Sequence, residues 1–338
     1  MRRLHLAHLP TPIERRPALD AIIGARVWIK RDDATGGPEA GNKIRKLEFL
    51  LADAVHRCAE VVITCGGLQS NHARATALAC ARLGLRAVLY LRTGDPSNIP
   101  LTGNVLLDRL AGAEIVLVSA SEYRERGAIM EHARIELQRE GVPAYVIPEG
   151  GSNGLGSLGY IEAMREVKTQ LDLGLCGPMD RFDVVAHACG SGGTAAGVAL
   201  GARHFGVAER AWAFCVCDDR ATFETVIDRI ASEMRGFDPT LPGLDALVID
   251  DRAKGPAYGV MDDAQKEFLV HVARKTGLLL DPVYTGKALW GVKLAVERGE
   301  IAPEASVLFF HTGGLPGLLA QGAELEAALD DPAVTPRA

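Results

Sequence analysis

Aromatic residues and positive charge are both scarce in this sequence. Phe, Trp and Tyr account for 5% of the 338 residues, and 37 Lys and Arg stand against 43 Asp and Glu, so the net charge is −6. Binding to a nucleic-acid backbone needs a basic surface, and we therefore expect no nucleic-acid partner. No window of about eighteen residues is apolar and uncharged, so we expect no membrane-spanning segment. The first ten residues lack the unbroken apolar core of a signal peptide, which favours a cytoplasmic location.

The cysteines give no sign of a metal site. The seven cysteines are scattered, and only Cys215 and Cys217 lie close together in the sequence. No second close pair and no His-x-x-x-His motif completes a zinc site, so we expect no metal. Reduced, buried thiols are the ordinary state of such cysteines in a cytosolic protein.

Short apolar, β-branched runs alternate with amphipathic, alanine-rich segments. Runs of the first kind predict strands at residues 26–29, 61–64, 87–91, 114–118, 144–147, 184–187, 212–216 and 307–310. Segments of the second kind predict helices over residues 43–56, 71–83, 122–140, 194–205, 264–276 and 287–298. This alternation indicates βαβ units, and we expect two parallel α/β sheets facing a cleft, with ligands beyond the carboxyl ends of the strands. The glycine-rich segment 149–159 is the clearest break, and the tail after residue 327 is expected to fray.

A glycine-rich turn links the predicted strand at 184–187 to the helix that follows it. The turn reads Cys189-Gly190-Ser191-Gly192-Gly193-Thr194, and it points successive backbone N–H groups at one place, as a phosphate-binding turn does. It lacks the Lys-Ser/Thr of a nucleoside-triphosphate loop and the spacing of a dinucleotide loop. A monophosphate is the preferred ligand. A tight structural turn and a sugar-phosphate or nucleotide-binding module remain open.

Two further helix starts carry reactive side chains. Lys43 follows Gly41-Asn42, where the positive end of the helix dipole lowers the pKa of an amine and favours its nucleophilic form. A solvated basic first turn is the alternative. Ser70 lies in Gln69-Ser70-Asn71-His72 after a strand that ends in glycines, and it is either an N-cap, a ligand contact or both.

Three other loops are compatible with ligand contact or with ordinary turns. The first is the glycine-rich segment 150–156, which serves equally well as a hinge. The second, residues 281–287, places Tyr284 in a turn before a helix. The third, residues 311–314, ends the strand at 307–310 and contains Thr312.

Together these segments resemble pyridoxal-phosphate enzymes with the tryptophan-synthase-β fold, and among them the D-cysteine desulfhydrase / aminocyclopropane-carboxylate deaminase family. The motifs Gly-Asn-Lys-x-Arg-Lys-Leu, Gln-Ser-Asn-His and Asp-Pro-Val-Tyr-Thr-Gly-Lys occur in that order, and the resemblance covers nearly the whole chain. It implies an α/β fold in which two open, twisted parallel-sheet domains face a cofactor cleft. The implied large domain comprises residues 1–47 and 161–338, and the small domain residues 48–160. Homodimers are usual in the family.

The resemblance also implies roles for individual residues. Lys43 would bind pyridoxal 5'-phosphate covalently, Ser70 would serve as acid/base or contact the substrate carboxylate, and Tyr258 and Tyr284 would face the reacting groups. Asn71 would contact the ring hydroxyl oxygen, Thr312 the pyridine nitrogen, and residues 190–194 the phosphate. The implied cofactor-binding residues are Lys43, Asn71, Gly190, Ser191, Gly192, Gly193, Thr194, Tyr284 and Thr312. The implied substrate-binding residues are Gln69, Ser70, Asn71 and His72.

The activity that this resemblance implies is elimination of a β-substituent from a small amino acid. D-Cysteine, giving pyruvate, hydrogen sulfide and ammonia, is the first candidate substrate. L-Cysteate sulfo-lyase and aminocyclopropane-carboxylate deaminase are the alternatives. In the deaminase branch a Glu follows the ring-facing Tyr and keeps the pyridine nitrogen protonated, whereas Thr285 follows Tyr284 here, and Thr312 is also a hydroxyl. A hydroxyl cannot stabilise a full positive charge on that nitrogen. The resemblance also implies that the deaminase branch has Gln at the position of His72. We therefore expect β-elimination and little opening of a cyclopropane ring.

Overall fold

The computed structural model describes residues 1–329, so most of the tail that was expected to fray, residues 330–338, lies outside the described part. The strands are β1 (Ile13–Arg15), β2 (Arg26–Lys30), β3 (Val61–Gly67), β4 (Arg86–Arg92), β5 (Glu114–Val118), β6 (Ala144–Val146), β7 (Phe182–Cys189), β8 (Ala208–Cys215), β9 (Leu247–Asp250) and β10 (Ser306–Phe310).

The helices alternate with these strands. They are α1 (Pro17–Ile23), α2 (Asn42–His56), α3 (Asn71–Leu83), α4 (Gly103–Leu110), α5 (Ala120–Arg124), α6 (Arg126–Arg139), α7 (Gly154–Asp172), α8 (Gly193–Phe205), α9 (Arg220–Phe237), α10 (Asp263–Thr276), α11 (Thr285–Glu297), α12 (Leu315–Ala320) and α13 (Glu326–Leu329). Short 3-10 segments lie at Asp32–Ala34, Glu149–Gly151 and Gly322–Leu325. Within residues 1–329, no helix combines the length and the apolar character needed to cross a membrane.

The strands form two sheets, as predicted. The larger sheet has the order β1-β2-β10-β7-β8-β9, and the smaller has the order β5-β4-β3-β6. All pairs are parallel except β1 with β2, an antiparallel edge that the alternation pattern did not indicate. The two-sheet α/β fold class is confirmed.

Each sheet is covered on both faces, which explains why its strands are so uniformly apolar. On the larger sheet, Val184 packs in one cluster with residues of α1, α10 and α11, and its neighbour Val185 packs in another with residues of α7 and α8. On the smaller sheet, Val62 packs with residues of α2 and α3, and Ile63 with residues of α6. Alternating side chains of one strand thus enter two cores.

The glycine-rich segment 150–156 was expected to be a loop, and this expectation is wrong for its last three residues. Helix α7 begins at Gly154, and the Asn153 side chain caps it by accepting a hydrogen bond from Gly156 N at 2.9 Å. The glycines let α7 approach its neighbours closely: a Cβ added at Gly159 would lie 2.3 Å from the Arg45 backbone oxygen. Close helix packing, and not a flexible loop, is the reason for these glycines.

Other differences concern short elements and domain limits. The predicted helix 122–140 is two helices, α5 and α6, which meet at Glu125. The edge strands β1 and β9 have three and four residues, too few to show a period. The predicted domain limits, after residue 47 and after residue 160, fall inside α2 and α7. The domain division therefore stays a prediction.

Candidate functional site

Two adjoining cavities lie at the carboxyl ends of strands from both sheets. The smaller cavity is lined by Asn42, Lys43, Asn71, Ala188, Cys189, Gly190, Ser191, Gly192, Thr194, Ala195, Tyr284 and Thr312. The larger one shares Lys43, Gly190, Ser191 and Tyr284 with it, and adds Ser70, His72, Arg92, Tyr123, Glu149, Asp218 and Tyr258 among others. Of the residues predicted for the site, only Gln69 and Gly193 line neither cavity.

The turn between β7 and α8 has the form of an anion-binding cradle. Gly192 has φ +80°, a conformation that favours glycine, and helix α8 begins directly after it. A Cβ added at Gly190 would lie 3.0 Å from Cε1 of Tyr284, so a side chain there would crowd the Tyr284 ring at the wall of the cavity. Gly193 stands behind the turn, where its N–H donates to Ser152 Oγ at 3.3 Å.

Ser152 connects the cradle to a second buried lysine. The hydroxyls of Ser152 and Ser191 lie 2.8 Å apart, and Lys46 Nζ donates to Ser152 Oγ at 3.0 Å. Burial lowers the pKa of Lys46 well below its usual value, and the charge of nearby Lys43 lowers it further. Sequence reasoning missed both Lys46 and Ser152. The Gly-Asn-Lys motif drew attention to Lys43 alone, and segment 150–156 offered a hinge as an equally good interpretation.

Lys43 lies in the first turn of α2 and faces both cavities. Its Nζ is 5.9 Å from the centre of the Tyr284 ring. Burial, which disfavours the ammonium form, lowers the pKa of Lys43 to about 8. The neighbouring Asn42 fixes the helix start, because its backbone N–H donates to the Thr312 oxygen at 3.1 Å and its Nδ2 to Thr194 Oγ1 at 3.2 Å. The amine, the cradle and the end of β10 are thus held together.

Arg45 anchors the same helix turn from its other side. The guanidinium is buried and donates to both oxygens of Asp32, at 2.8 and 2.7 Å, and to both of Glu166, at 3.0 and 3.1 Å. Tyr160 adds a hydrogen bond to Asp32 at 2.7 Å. This network joins α2, the segment after β2, and α7. We conclude that the position of Lys43 is fixed by contacts on opposite sides of its helix.

Ser70 and Asn71 start helix α3 beside the cavities. Ser70 is the N-cap, its Oγ accepting from Ala73 N at 3.2 Å, which confirms that interpretation. Ser70 also lines the larger cavity, and its contact with a ligand stays a prediction. Asn71 lines the smaller cavity, and its Oδ1 accepts from Asn104 Nδ2 at 3.1 Å. With its oxygen engaged, Asn71 has its amide N–H groups left to donate.

His72 is a neutral imidazole. Thr64 Oγ1 donates to the Ile147 oxygen at 2.8 Å and therefore accepts from His72 Nε2 at 2.9 Å. Burial lowers the pKa of His72 well below its usual value, and the charges of Lys43 and Lys46 act in the same direction. Its Nδ1 has no hydrogen-bond partner among the described residues. His72 therefore lines the larger cavity and carries a buried acceptor that no described residue satisfies.

Gln69 points elsewhere. Its Nε2 donates to the Thr102 oxygen at 3.2 Å, and its Oε1 accepts from Asn104 N at 2.8 Å. Both ends of the amide thus hold the start of α4, and the structure does not bring this predicted substrate contact to the cavities.

Tyr258 and Tyr284 form a pair of phenols. Their oxygens are 2.7 Å apart and their rings meet edge to face. Burial raises the pKa of Tyr258 to about 12 and that of Tyr284 well above its usual value, so both are protonated near neutral pH. One hydroxyl proton forms the hydrogen bond between the two oxygens, and the other is free to donate a hydrogen bond to a bound molecule.

The two threonines near Tyr284 differ in position. Thr312 lines the smaller cavity. Thr285 faces away, since its Oγ1 donates to Asp281 Oδ1 at 2.6 Å. Asp281 also accepts from the backbone N–H of Tyr284 at 2.9 Å, and it thereby fixes that ring.

A buried amine of lowered pKa beside a glycine-rich phosphate cradle defines the class of site found in enzymes that hold an aldehyde cofactor on a lysine. The chain belongs to the pyridoxal-phosphate dependent enzyme family, whose family model matches residues 4–313.

Individual relatives are similar over almost the entire chain. A bifunctional D-cysteine desulfhydrase/1-aminocyclopropane-1-carboxylate deaminase of Arabidopsis thaliana is 45% identical over 323 residues, covering 93% of this chain and 78% of the relative. A putative 1-aminocyclopropane-1-carboxylate deaminase of Thermotoga maritima is 42% identical over 324 residues, covering 96% and 99%. The crystal structure of an ACC deaminase homologue superposes with a TM-score of 0.88 at 37% identity, covering 97% of this chain and 96% of that one.

These similarities confirm the predicted family, its fold and the cofactor, pyridoxal phosphate; the chain is a pyridoxal-phosphate-dependent lyase. The residues present fit that group. Only glycine at position 190 leaves room for the Tyr284 ring beside the cradle, and Lys43, Asn71 and Thr312 line the same cavity as the cradle residues.

Proposed function

We propose that this enzyme eliminates a β-substituent from a small amino acid. D-Cysteine is the leading candidate substrate, with pyruvate, hydrogen sulfide and ammonia as products. One observation carries the choice of reaction. Among the described residues that line the smaller cavity there is no Asp or Glu, and Thr312 supplies a neutral hydroxyl there.

We assign the cofactor contacts as follows. Lys43 would hold the cofactor covalently, and Asn71 would donate to its ring hydroxyl oxygen. Thr312 would donate to the pyridine nitrogen, and Tyr284 would lie beside the ring. The phosphate is held by residues 190–194, in which Ser191 and Thr194 add hydroxyl donors to the backbone N–H groups. Pyridoxal phosphate, when bound, withdraws electrons from the substrate's α-carbon and makes its proton acidic.

Proton movements fall to this chain's own groups. A Lys43 amine released by the incoming amino acid takes the α-proton, and its lowered pKa keeps an uncharged fraction available near neutral pH. The spare hydroxyl proton of the Tyr258–Tyr284 pair donates a hydrogen bond to the departing sulfur. Ser70 contacts the substrate carboxylate from the N-terminus of α3, where the helix dipole favours an anion.

A neutral contact at the pyridine nitrogen favours elimination over ring opening. A hydroxyl leaves that nitrogen unprotonated, so negative charge at the α-carbon is only weakly stabilised. β-Elimination tolerates this, because the leaving group departs as the proton is removed. No such leaving group departs when a cyclopropane ring opens, so that reaction depends more strongly on stabilisation of the negative charge. L-Cysteate, which releases sulfite by the same reaction, is the second candidate substrate, and aminocyclopropane carboxylate is the third.

The names of the relatives support the reaction type at a coarser level. The Arabidopsis protein is named for both D-cysteine desulfhydrase and deaminase activity, so its similarity does not separate the two.

The test is a substrate panel with the purified holoenzyme. D-Cysteine, L-cysteine, L-cysteate and aminocyclopropane carboxylate are compared, with pyruvate, 2-oxobutyrate, sulfide and sulfite as the products measured. We expect pyruvate and sulfide from D-cysteine and little 2-oxobutyrate. Formation of 2-oxobutyrate from aminocyclopropane carboxylate at a rate similar to pyruvate from D-cysteine would contradict the proposal. Turnover of L-cysteate alone would keep the reaction and change the substrate.

We further propose a cytoplasmic homodimer with a large domain of residues 1–47 and 161–338 and a small domain of residues 48–160. Light scattering after size-exclusion chromatography tests the dimer.

A further inference from the structure

Arg92 is a cation without an anionic partner in the larger cavity. It is the last residue of β4, the end of a parallel strand where ligands bind in such folds. Among residues 1–329, no carboxylate lies within 4.0 Å of its guanidinium, whereas Arg45, which is fully buried, is paired with Asp32 and Glu166. A partly buried guanidinium that is left unpaired has lost hydration without compensation.

Two tyrosine rings hold this guanidinium in place. Its Cζ lies 5.1 Å from the centre of the Tyr123 ring and 5.8 Å from that of Tyr258. Such cation–π contacts restrict the side chain and keep its fork of donors available for a third group. Tyr258 in turn is bonded to Tyr284, so Arg92 adjoins the phenol pair.

Two acids line the same cavity, and neither pairs with Arg92. Glu149 accepts from the Tyr123 hydroxyl at 2.8 Å and pairs with Arg126 at 3.0 Å, so its charge is balanced without Arg92. Asp218 accepts from Cys217 Sγ at 3.3 Å and is not within 4.0 Å of the Arg92 guanidinium. The charge of Arg92 therefore stays available to an anion from solution.

Arg92 lies on the substrate side of the site. It is the register partner of Gly67 in the β3–β4 ladder, and Gly67 O accepts from the N–H of Ser70 at 3.0 Å. Arg92 lines only the larger cavity, to which the phosphate cradle contributes just Gly190 and Ser191, whereas residues 190–192 and Thr194 all line the smaller one. Arg92 therefore lies in the part of the site that is left for a bound amino acid.

We infer that Arg92 is a specificity-determining residue that binds an anionic sulfur group on the substrate's β-carbon, a thiolate or a sulfonate. This inference rests on the proposed β-elimination. In that step the α-proton moves to Lys43, the Cα–H electron pair forms the Cα=Cβ bond, and the Cβ–S bond breaks. Its electron pair leaves with sulfur as hydrosulfide or as sulfite, so no oxidant or reductant is needed. Arg92 balances the negative charge that collects on sulfur.

A binding experiment tests Arg92 independently of turnover. The holoenzyme is titrated calorimetrically with 3-sulfopropanoate and with 3-(methylsulfonyl)propanoate, which has a similar shape and an uncharged sulfone. We expect the wild type to bind the sulfonate more tightly by about tenfold, and Arg92→Gln to lose that preference. Arg92→Lys keeps part of it, since a charge remains without the planar fork. The control is Arg86→Gln at the exposed start of the same strand, which keeps the preference.

A kinetic experiment then links the residue to the reaction. Arg92→Gln should lower kcat/KM for D-cysteine or L-cysteate by about tenfold, and that for β-chloroalanine by less than about threefold, because chloride leaves readily without a cationic partner. Circular dichroism and cofactor absorbance verify that the variants are folded and loaded.

The outcomes separate the two proposals. The role of Arg92 is overturned if the wild type shows no preference for the sulfonate or if Arg92→Gln keeps that preference. It is also overturned if Arg92→Gln lowers kcat/KM equally for all substrates. A sulfonate preference that depends on Arg92, in an enzyme that eliminates neither cysteine nor cysteate, refutes the proposed function and leaves the anion site standing.

Discussion

The buried amine of Lys43 should make cofactor loading unusually fast at neutral pH. An ordinary lysine has a pKa of 10.5, and burial lowers that of Lys43 to about 8. The difference of about 2.5 pH units corresponds to about 3 kcal/mol. At pH 7, about one Lys43 amine in eleven is uncharged, against about one in three thousand for an ordinary lysine. The reactive form is therefore enriched by about 300-fold.

The assay mixes cofactor-free protein with pyridoxal phosphate in a stopped-flow instrument between about pH 6 and pH 10 and follows the absorbance of the bound cofactor. We expect the rate to rise with pH and to level off above about pH 8, where Lys43 is already uncharged. N-acetyl-lysine methyl amide with the same cofactor provides the reference, and its rate keeps rising to the end of the range. Lys43→Ala should show no such phase. A protein rate that still climbs at about pH 10, or a phase that survives in Lys43→Ala, would refute the reasoning.

Three further predictions concern the surroundings of that amine. Replacing both Ser191 and Thr194 by Ala should raise the dissociation constant of pyridoxal phosphate about tenfold, or about 1.4 kcal/mol, because two hydroxyl donors are lost; unchanged retention on dialysis would place the phosphate elsewhere. Asn104→Leu, which frees the oxygen of Asn71, should shift the absorbance maximum of the bound cofactor. If Asn104 only stabilises the fold, the substitution will lower the melting temperature and leave the absorbance spectrum unchanged. Arg45→Met should lower the free energy of unfolding by about 3–5 kcal/mol, since the buried carboxylate of Asp32 loses its cation, and a denaturant titration showing a loss below about 1 kcal/mol would contradict this.

Local sequence patterns were sufficient wherever a feature depends on neighbouring residues. The start of α3 at Asn71, with Ser70 as its cap, follows from the residue types alone. So does the turn that ends in Gly193, because its glycines adjoin an apolar strand. The placement of Lys43 at a helix start was equally visible.

Features that depend on distant contacts were not accessible in this way. The lowered pKa of Lys43 comes chiefly from burial, which no local pattern reports, whereas the helix dipole was the reason given by the sequence. The start of α7 was missed because its glycines serve packing against Arg45, more than a hundred residues away in the chain. Gln69 stands in the same motif as Ser70 and yet holds α4, since the amide can turn either way.

Arg92 had a weak local signal. A charged residue that ends an apolar strand, just before Thr93-Gly94-Asp95-Pro96, lies where ligands bind in a parallel sheet. Its lack of a carboxylate partner, which makes it informative, is visible only in three dimensions.

Helix α2 takes part in two cores at once, and this limits how the halves of such enzymes can be recombined. Ile44, Leu47 and Leu50 pack with the smaller sheet, while Phe49 packs with residues of α7, α8 and α9. A chimera that exchanges residues 48–160 with those of a relative cuts this helix within the first set, between Leu47 and Leu50. The host would keep Ile44 and Leu47, and the donor would supply the strands against which they pack. A crossover before Gly41 keeps α2 whole, but Asn42 and Arg45 of the donor must then find their partners Thr312, Thr194 and Asp32 in the host if Lys43 is to keep its position.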